Sequence, residues 1–232
     1  MTMITVVTGA AGALGSEVTR VLLERGHHVA ALDRPSPHLD SMARPGACLP
    51  LALDLTSAPE WQKAVARIES ELGAPTGAVL CAGGWGGGAP AQGAADDPNW
   101  RHMLDLNLET VERSIRALVG KMVERRHGSV VVIGSRASDR PWENRGAAAY
   151  VASKSAAAAY TRTVAAETVD SGVRLNVVMP SVIDTPSNRT SMPKADPLKW
   201  VPPESLARVV AFLLSDDARD ISGAEIPVYG RV

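Results

Sequence analysis

At 232 residues, with 45% hydrophobic and 21% charged residues, the chain can bury a two-sided core and is ordinary in composition for a globular protein. A net charge of −1 gives no electrostatic reason for a nucleic-acid or anionic-membrane partner, and two dispersed cysteines, Cys48 and Cys81, exclude a disulfide framework and point to a reducing cytoplasm. The histidines have no ligand spacing, no apolar run reaches the ~18 residues of a membrane span, and the N-terminus leads almost directly into a strand; no metal, membrane segment or signal peptide is expected.

Ile4 to Thr8 is a short β-rich run, ended by Gly9-Ala10-Ala11-Gly12-Ala13-Leu14-Gly15. A helical pattern follows through Leu14, Val18, Val21 and Leu22 and closes at Gly26. Strand, glycine turn and helix, in that order, let backbone N–H groups at a helix N-terminus meet a pyrophosphate. No Gly-Lys-Ser/Thr follows, which excludes a triphosphate loop. A glycine-bearing turn without a ligand would look the same in isolation, so the following elements decide.

Val29 to Leu32 reads as a second strand with Asp33 at its end. A carboxylate there accepts hydrogen bonds from ribose hydroxyls and repels a 2′-phosphate. Arg34 argues the other way, but the glycine turn carries no Arg or Lys, so NAD(H) is favoured over NADP(H). Leu49 to Leu53 is a third apolar run, followed by Asp54 and Leu55. Residues 59–72 read as a helix. Gly77 to Ala82 is a fourth strand, and Gly83-Gly84-Trp85-Gly86-Gly87-Gly88 sets one flat side chain in a glycine loop.

Trp100 to about Arg126 reads as one long helix. Leu104, Leu108, Val111, Ile115, Leu118 and Met122 form its stripe, which Met103, Leu106 and Val119 widen beyond one core-facing side; a second subunit is expected there. Asn107 is a polar residue inside that pattern. Gly128 to Ile133 is β-branched and reads as a buried parallel strand, placing Ser135 beyond its carboxyl end, where open α/β sheets bind ligands. Residues 136–146 read as a polar loop. Residues 147–171 read as an alanine-rich helix. On it Tyr150 and Lys154 fall one turn apart, so an ammonium beside the phenol would lower its pKa and suit it to proton transfer at an alcohol oxygen. Val173 to Met179 is the sixth strand. The segment Pro180 to Pro186 is too proline-rich for a helix, and the loop runs to about Trp200. A helix over Pro203–Leu214 and a strand over Glu225–Tyr229 close the chain. No internal boundary or repeat is present, so residues 1–232 are expected to form a single domain.

Taken together, these residues resemble the short-chain dehydrogenase/reductase family over nearly the whole chain. Thr8-Gly9-x-x-x-Ala13-x-Gly15 is similar to its cofactor turn, with Ala13 where glycine is commoner. Asn107, Ser135, Tyr150 and Lys154 fall, in order, where its catalytic residues stand. Asn176, Pro180 and Thr185 are similar to its segment after the sixth strand. The resemblance implies an α/β fold: one doubly wound Rossmann-type domain of about seven parallel strands with helices on both faces. It implies cofactor contacts at Gly9, Ala11, Gly12, Ala13, Leu14, Gly15, Asp33, Arg34, Asp54 (at the adenine), Leu55, Ala82, Gly83, Gly84, Tyr150, Lys154, Pro180, Val182, Ile183 and Thr185 (at the nicotinamide carboxamide). Substrate contacts are expected at Trp85, Ser135, Arg136, Trp142, Asn188 and Met192.

By the same resemblance Tyr150 is the acid or base, Lys154 lowers its pKa and binds the nicotinamide ribose, Ser135 holds the substrate oxygen, and Asn107 anchors a water. Departures are Cys81-Ala82-Gly83 for the usual Asn-Ala-Gly, Ser181 for a glycine, and a longer Ser135-to-Tyr150 interval that leaves Ser138 as a rival serine. The Trp85 loop and the run from Asp184 through Asp196 are similar to dihydropteridine reductase. The expectation is an NAD(H)-dependent oxidoreductase interconverting a small-molecule carbonyl and a secondary alcohol, working as a homodimer or homotetramer. Reduction of a pterin or another N-heterocycle is the alternative. A non-catalytic nucleotide sensor is a third reading, but it has no need of the tyrosine–lysine pair.

Overall fold

The computed structural model describes residues 3–88, 90–92 and 97–232. In chain order the elements are β1 (Ile4–Thr8), α1 (Ala13–Glu24), β2 (His28–Asp33), the single turn α2 (Pro37–Asp40), β3 (Cys48–Ala52), α3 (Ala58–Glu71), β4 (Gly77–Leu80), α4 (Pro98–Leu104), α5 (Thr110–Glu124), β5 (Gly128–Ile133), α6 (Arg136–Asp139), α7 (Ala148–Thr168), β6 (Val173–Pro180), α8 (Pro186–Ser191), α9 (Pro203–Leu214) and β7 (Glu225–Val228). The strands form one sheet in the order β3-β2-β1-β4-β5-β6-β7, and every neighbouring pair is parallel. The order reverses between β1 and β4, which opens a crevice at their carboxyl ends.

Alternation along the strands builds two cores. Val7, Val29 and Val131 face α1 and α9, meeting Leu14, Val18 and Leu22 on one helix and Leu206, Val210 and Leu213 on the other. Val6, Leu32, Val130 and Val132 face α3, α5 and α7, with Trp61, Ile68, Ile115, Leu118 and Val164. Each such side chain, fully buried, contributes roughly 1.5–3 kcal/mol. Trp61 is completely buried because its indole N–H finds an acceptor, the Leu55 carbonyl at 2.9 Å. No helix among the described residues is long and apolar enough to cross a membrane.

Three expectations are corrected. The helix expected over 100–126 is not uniform: between α4 and α5 a π turn covers Asp105–Glu109. This extra residue per turn re-phases the stripe, and Met103 and Val119, which seemed surplus to one core, are both buried within the chain. The polar loop 136–146 contains α6 and a 3₁₀ turn over Pro141–Glu143, because Ser135 caps α6 and Pro141 opens the turn. The loop expected to continue from Pro186 to about Trp200 holds a helix: Thr185 caps α8 through the Asn188 N–H at 3.1 Å, and Pro186 takes the first position, where a missing N–H costs nothing.

Candidate active site

The glycine turn after β1 brings α1 down onto its own loop. A Cβ on Gly15 would lie 2.1 Å from the Gly9 carbonyl oxygen, and one on Gly9 would lie 2.7 Å from the Ala82 nitrogen. Gly9 also has φ +65°, a left-handed conformation that side chains resist. Gly12 is the N-cap of α1 and has no side chain to cap with, and the first turn bears no acidic residue. The leading N–H groups of Ala13, Leu14 and Gly15 are therefore available to an anion. Ala13 in place of glycine is harmless, since it is already the first helical residue.

Asp33 closes the cradle from β2. Its Oδ2 accepts the Ala11 N–H at 2.9 Å and its Oδ1 the Arg34 N–H at 2.7 Å, while the Arg34 side chain is exposed. Asp54 is turned back onto its own loop: Oδ1 accepts the Thr56 N–H at 2.9 Å and the Thr56 hydroxyl at 2.8 Å. These bonds hold its carboxyl below the usual carboxylate range. Leu55 lies in the core with its carbonyl taken by Trp61, so a contact to a cofactor would come through its N–H. The residues present fit a dinucleotide: a cradle that a Cβ would fill, an uncapped helix N-terminus, and a carboxylate at the end of β2.

Beyond β5, Ser135 is buried and its Oγ accepts the Ala137 N–H at 3.1 Å, which fixes the hydroxyl at the head of α6. Tyr150, in the first turn of α7, lies near Ser135, whose hydroxyl favours the phenolate. The rival Ser138 has a buried hydroxyl without a partner among the described residues. Lys154, one turn along α7, is buried and its Nζ donates to the Ile133 carbonyl at 2.9 Å. Burial pushes Lys154 down to about 8, partly offset by the neighbouring Cys81, whose own thiol burial pushes up to about 12. Burial raises the Tyr150 phenol, with the nearby Ser135 hydroxyl opposing, and the Lys154 ammonium is held by the Ile133 carbonyl.

Asn107 sits on the π turn, fully buried. Its Oδ1 accepts the Gly84 N–H at 2.9 Å, and its Nδ2 donates to the Gly84 carbonyl at 3.0 Å and to Ser153 Oγ at 3.1 Å. Ser153 in turn donates to the Tyr150 carbonyl at 2.8 Å. The side chain is thus occupied in tying the glycine loop to α7. A Cβ on Gly83 would meet Asn107 Oδ1 at 2.7 Å and Lys154 Nζ at 3.0 Å, so only glycine lets the loop pass between them. Sequence reasoning overlooked Ser153, although its place between Tyr150 and Lys154 was a usable signal.

Around this centre, Trp85 and Trp142 are 68% and 69% exposed, and the Gly88 N–H donates to the Gly146 carbonyl at 2.8 Å, joining their two loops. After β6, Ser181 donates to the Tyr229 carbonyl at 2.7 Å, and Val182 accepts the Val201 N–H at 2.9 Å. Ile183 bridges to Val201. Thr185 is engaged as the cap of α8, and Asn188 Nδ2 donates to the Ile183 carbonyl at 2.8 Å. Met192 ends α8 half-buried. Pro180 ends β6, with Val182, Ile183 and Thr185 following it, and Ala82, Gly83 and Gly84 follow β4, so both groups stand at the carboxyl edge of the sheet.

A glycine turn at the switch point of a parallel sheet, with a tyrosine and a lysine one turn apart on the helix two strands away, is the arrangement of a Rossmann-type fold. The pattern of the short chain dehydrogenases matches residues 3–196. The chain belongs to the short-chain dehydrogenase/reductase family and is an enzyme that works with a nicotinamide cofactor. It is 32% identical over 257 residues to a cyclohexanol dehydrogenase of a Rhodococcus species, covering 98% of this chain and 94% of that one. It is 28% identical over 237 residues to a 3-oxoacyl-(acyl-carrier-protein) reductase of Thermotoga maritima, covering 97% and 95%. A crystal structure of a short-chain family oxidoreductase from Burkholderia thailandensis superposes with a TM-score of 0.84 at 33% identity, covering 99% of this chain and 92% of that one.

Proposed function

We propose that residues 1–232 form a single nucleotide-binding domain that interconverts a carbonyl and a secondary alcohol, with NAD(H) as hydride carrier. The observation that carries this reading is the placement of Tyr150 beside the buried Ser135 beyond β5, with the buried Lys154 one turn further along the same helix. The bound nicotinamide supplies the hydride in reduction and accepts it in oxidation. Ser135 holds the carbonyl oxygen as negative charge gathers there, and Tyr150 delivers the proton to that oxygen; oxidation runs both steps in reverse. Burial keeps the phenol protonated near neutral pH, which suits the acid role in reduction. Lys154, exchanging the Ile133 carbonyl for the cofactor ribose, stabilises the phenolate left behind. Asn107 and Ser153 act as positioning residues for the helix that carries both. The relatives named for an alcohol and for a 3-oxo group support this chemistry.

The test is a panel of ketones, secondary alcohols and quinonoid pterins followed by nicotinamide absorbance. Ser135→Ala is expected to lower carbonyl turnover by about 10²–10³-fold, the usual cost of losing such a donor. Trp85→Ala is expected to weaken only substrates with a flat ring to stack. The exposed Trp85 favours one second reading, pterin reduction. Wild-type protein that reduces quinonoid pterins far faster than every carbonyl, with Ser135→Ala neutral, would replace the first reading by the second.

The preference for NAD(H) rests on the Asp33 carboxylate beside the cradle and on the absence of a cation in the turn. Asp33→Ser is expected to weaken NADH about tenfold and to tighten NADPH, read by fluorescence titration; tighter NADPH than NADH in the unmodified protein sinks this. We further propose a homodimer or homotetramer in the cytoplasm. Leu104, Leu106 and Leu108 stay half-buried on one helix, and Ala159 and Ala166 are exposed on α7, small enough for close helix contact. Light scattering should give at least a dimer mass at micromolar concentration, and a monomer mass ends that proposal.

A further inference from the structure

The segment between Ser135 and Tyr150 carries more guanidinium than carboxylate. Three arginines, Arg136, Arg140 and Arg145, stand against two acids, Asp139 and Glu143. The arginines are not equivalent. Arg136, the residue after Ser135, has only 16% of its side chain exposed, and its Nε is buried without a partner among the described residues. Its planar group lies over the Tyr229 ring, 5.6 Å from the centroid, with Arg140 at 5.9 Å from the same ring. Tyr229 is itself fixed, its hydroxyl donating to Asp139 Oδ2 at 3.0 Å and its carbonyl accepting from Ser181. The guanidinium of Arg136 is therefore held between the loops that follow β5, β6 and β7, at the carboxyl edge of the sheet.

What satisfies it is Glu143, whose carboxylate pairs with Arg136 Nη2 and also approaches Arg140 Nη1 at 3.4 Å. Glu143, itself 39% exposed, is the only carboxylate paired with Arg136 among the described residues, while Asp139 accepts from Tyr229 and pairs with Arg140 Nε at 3.7 Å. A buried guanidinium with an unmade N–H is costly, and such a group in a folded protein calls for an acceptor. The missing acceptor is anionic, planar and able to take two parallel N–H bonds, which describes a carboxylate. Glu143 occupies part of that position from within the chain.

We propose that Arg136 is a specificity residue and that the preferred carbonyl substrate carries a carboxylate, which displaces Glu143 from Arg136. This rests on the carbonyl reading above and narrows its substrate class to oxo acids and hydroxy acids. A neutral substrate of the same shape leaves the Arg136–Glu143 pair in place and gains nothing from it.

The probes are pyruvate, acetoacetate and levulinate, each beside its methyl ester, assayed with NADH in the intact protein. For at least one pair the acid is expected to exceed the ester in kcat/KM by about tenfold to a hundredfold, the range of a charge-assisted hydrogen bond. Arg136→Met should bring that ratio close to one. Glu143→Gln should move the other way, lowering the acid's KM several-fold, because the competing carboxylate is weakened while Arg136 remains. An Arg136 that merely braces the segment would not produce these opposite signs.

Binding is read separately by tryptophan fluorescence, since Trp142 adjoins Glu143. Titration of the NADH complex with each acid should give tighter binding in Glu143→Gln than in wild type. Esters reduced as well as acids, with Glu143→Gln indifferent in both assays, overturn the proposal and leave the carbonyl reading standing. No carbonyl turnover at all removes the carbonyl reading, and the fluorescence titration still decides whether Arg136 takes a carboxylate. Loss of folding in Arg136→Met leaves the Glu143→Gln result to decide.

Discussion

Tyr150→Phe is expected to lower kcat by about 10²–10⁴-fold in both directions while the affinity for NADH stays within about twofold. The range is that of a single general acid or base. The substitution removes one hydroxyl and keeps the ring, so the packing of the first turn of α7 survives, as does the cradle formed by Gly9, Gly12 and Gly15. What disappears is the phenolic hydroxyl beside Ser135. Steady-state rates for the best substrate, together with a fluorescence titration of cofactor, separate the two effects. A variant keeping more than about a tenth of the wild-type kcat shows that the proton travels by another route, with the nearby Ser138 hydroxyl the first to examine.

Lys154→Met is expected to destroy turnover and yet raise stability in the cofactor-free protein. Lys154 is held at about 8 against an ordinary 10.5, by burial. Between those two values the unfolded chain binds a proton that the folded chain has released, so stability climbs as pH rises from about 8 to 10.5. Below about pH 8 both states are protonated and the folded state bears the whole cost of the buried ammonium. At ~1.4 kcal/mol per pKa unit that cost is on the order of 3 kcal/mol, in a protein whose total stability is of order 10 kcal/mol. Methionine has similar length and no charge, so Tm at pH 7 should rise by about 6–12 °C, and the gain should fade towards pH 10.5. Calorimetry at pH 7 and pH 10 checks both the sign and the window. A lower Tm at pH 7 means that the hydrogen bond to Ile133 outweighs the desolvation. The same titration bears on activity: kcat/KM for NADH, which reports the free enzyme, should fall above about pH 8 as Lys154 loses its charge.

Much of the fold was legible because buried parallel strands are written plainly. Gly128 to Ile133 ends in four consecutive β-branched residues and is a strand over those residues, and the helix over Pro203–Leu214 appears with the expected ends. The π turn was not legible, because apolar residues flank it on every side and a one-residue slip in phase reads as a broader stripe. Helix α8 was hidden by treating prolines only as breakers, although Thr185-Pro186 is a cap followed by a first helical position. In the site, the order of Asn107, Ser135, Tyr150 and Lys154 was readable, but their partners were not. That Lys154 bonds the Ile133 carbonyl, or that Tyr229 bonds Asp139 from 90 residues away, depends on tertiary placement that no local pattern encodes. Helical spacing puts Tyr150 and Lys154 on one face, while the burial that raises the phenol and the carbonyl that holds the ammonium come from tertiary placement.

The wide turn at Asp105–Glu109 also bears on how the chain can be shortened. Relative to regular winding it amounts to one inserted residue, and each residue of an α-helix turns the axis by about 100°. The wide turn sweeps about the same angle as an α-helical stretch one residue shorter. Deleting one residue there would therefore restore even winding and leave Thr110–Glu124 in phase with Pro98–Leu104. Val111, Ile115, Leu118 and Met122 would stay on the sheet, and the loss would fall on Asn107, drawn away from Gly84 or Ser153. The helix could give up a residue without repacking, at the expense of the site beside it.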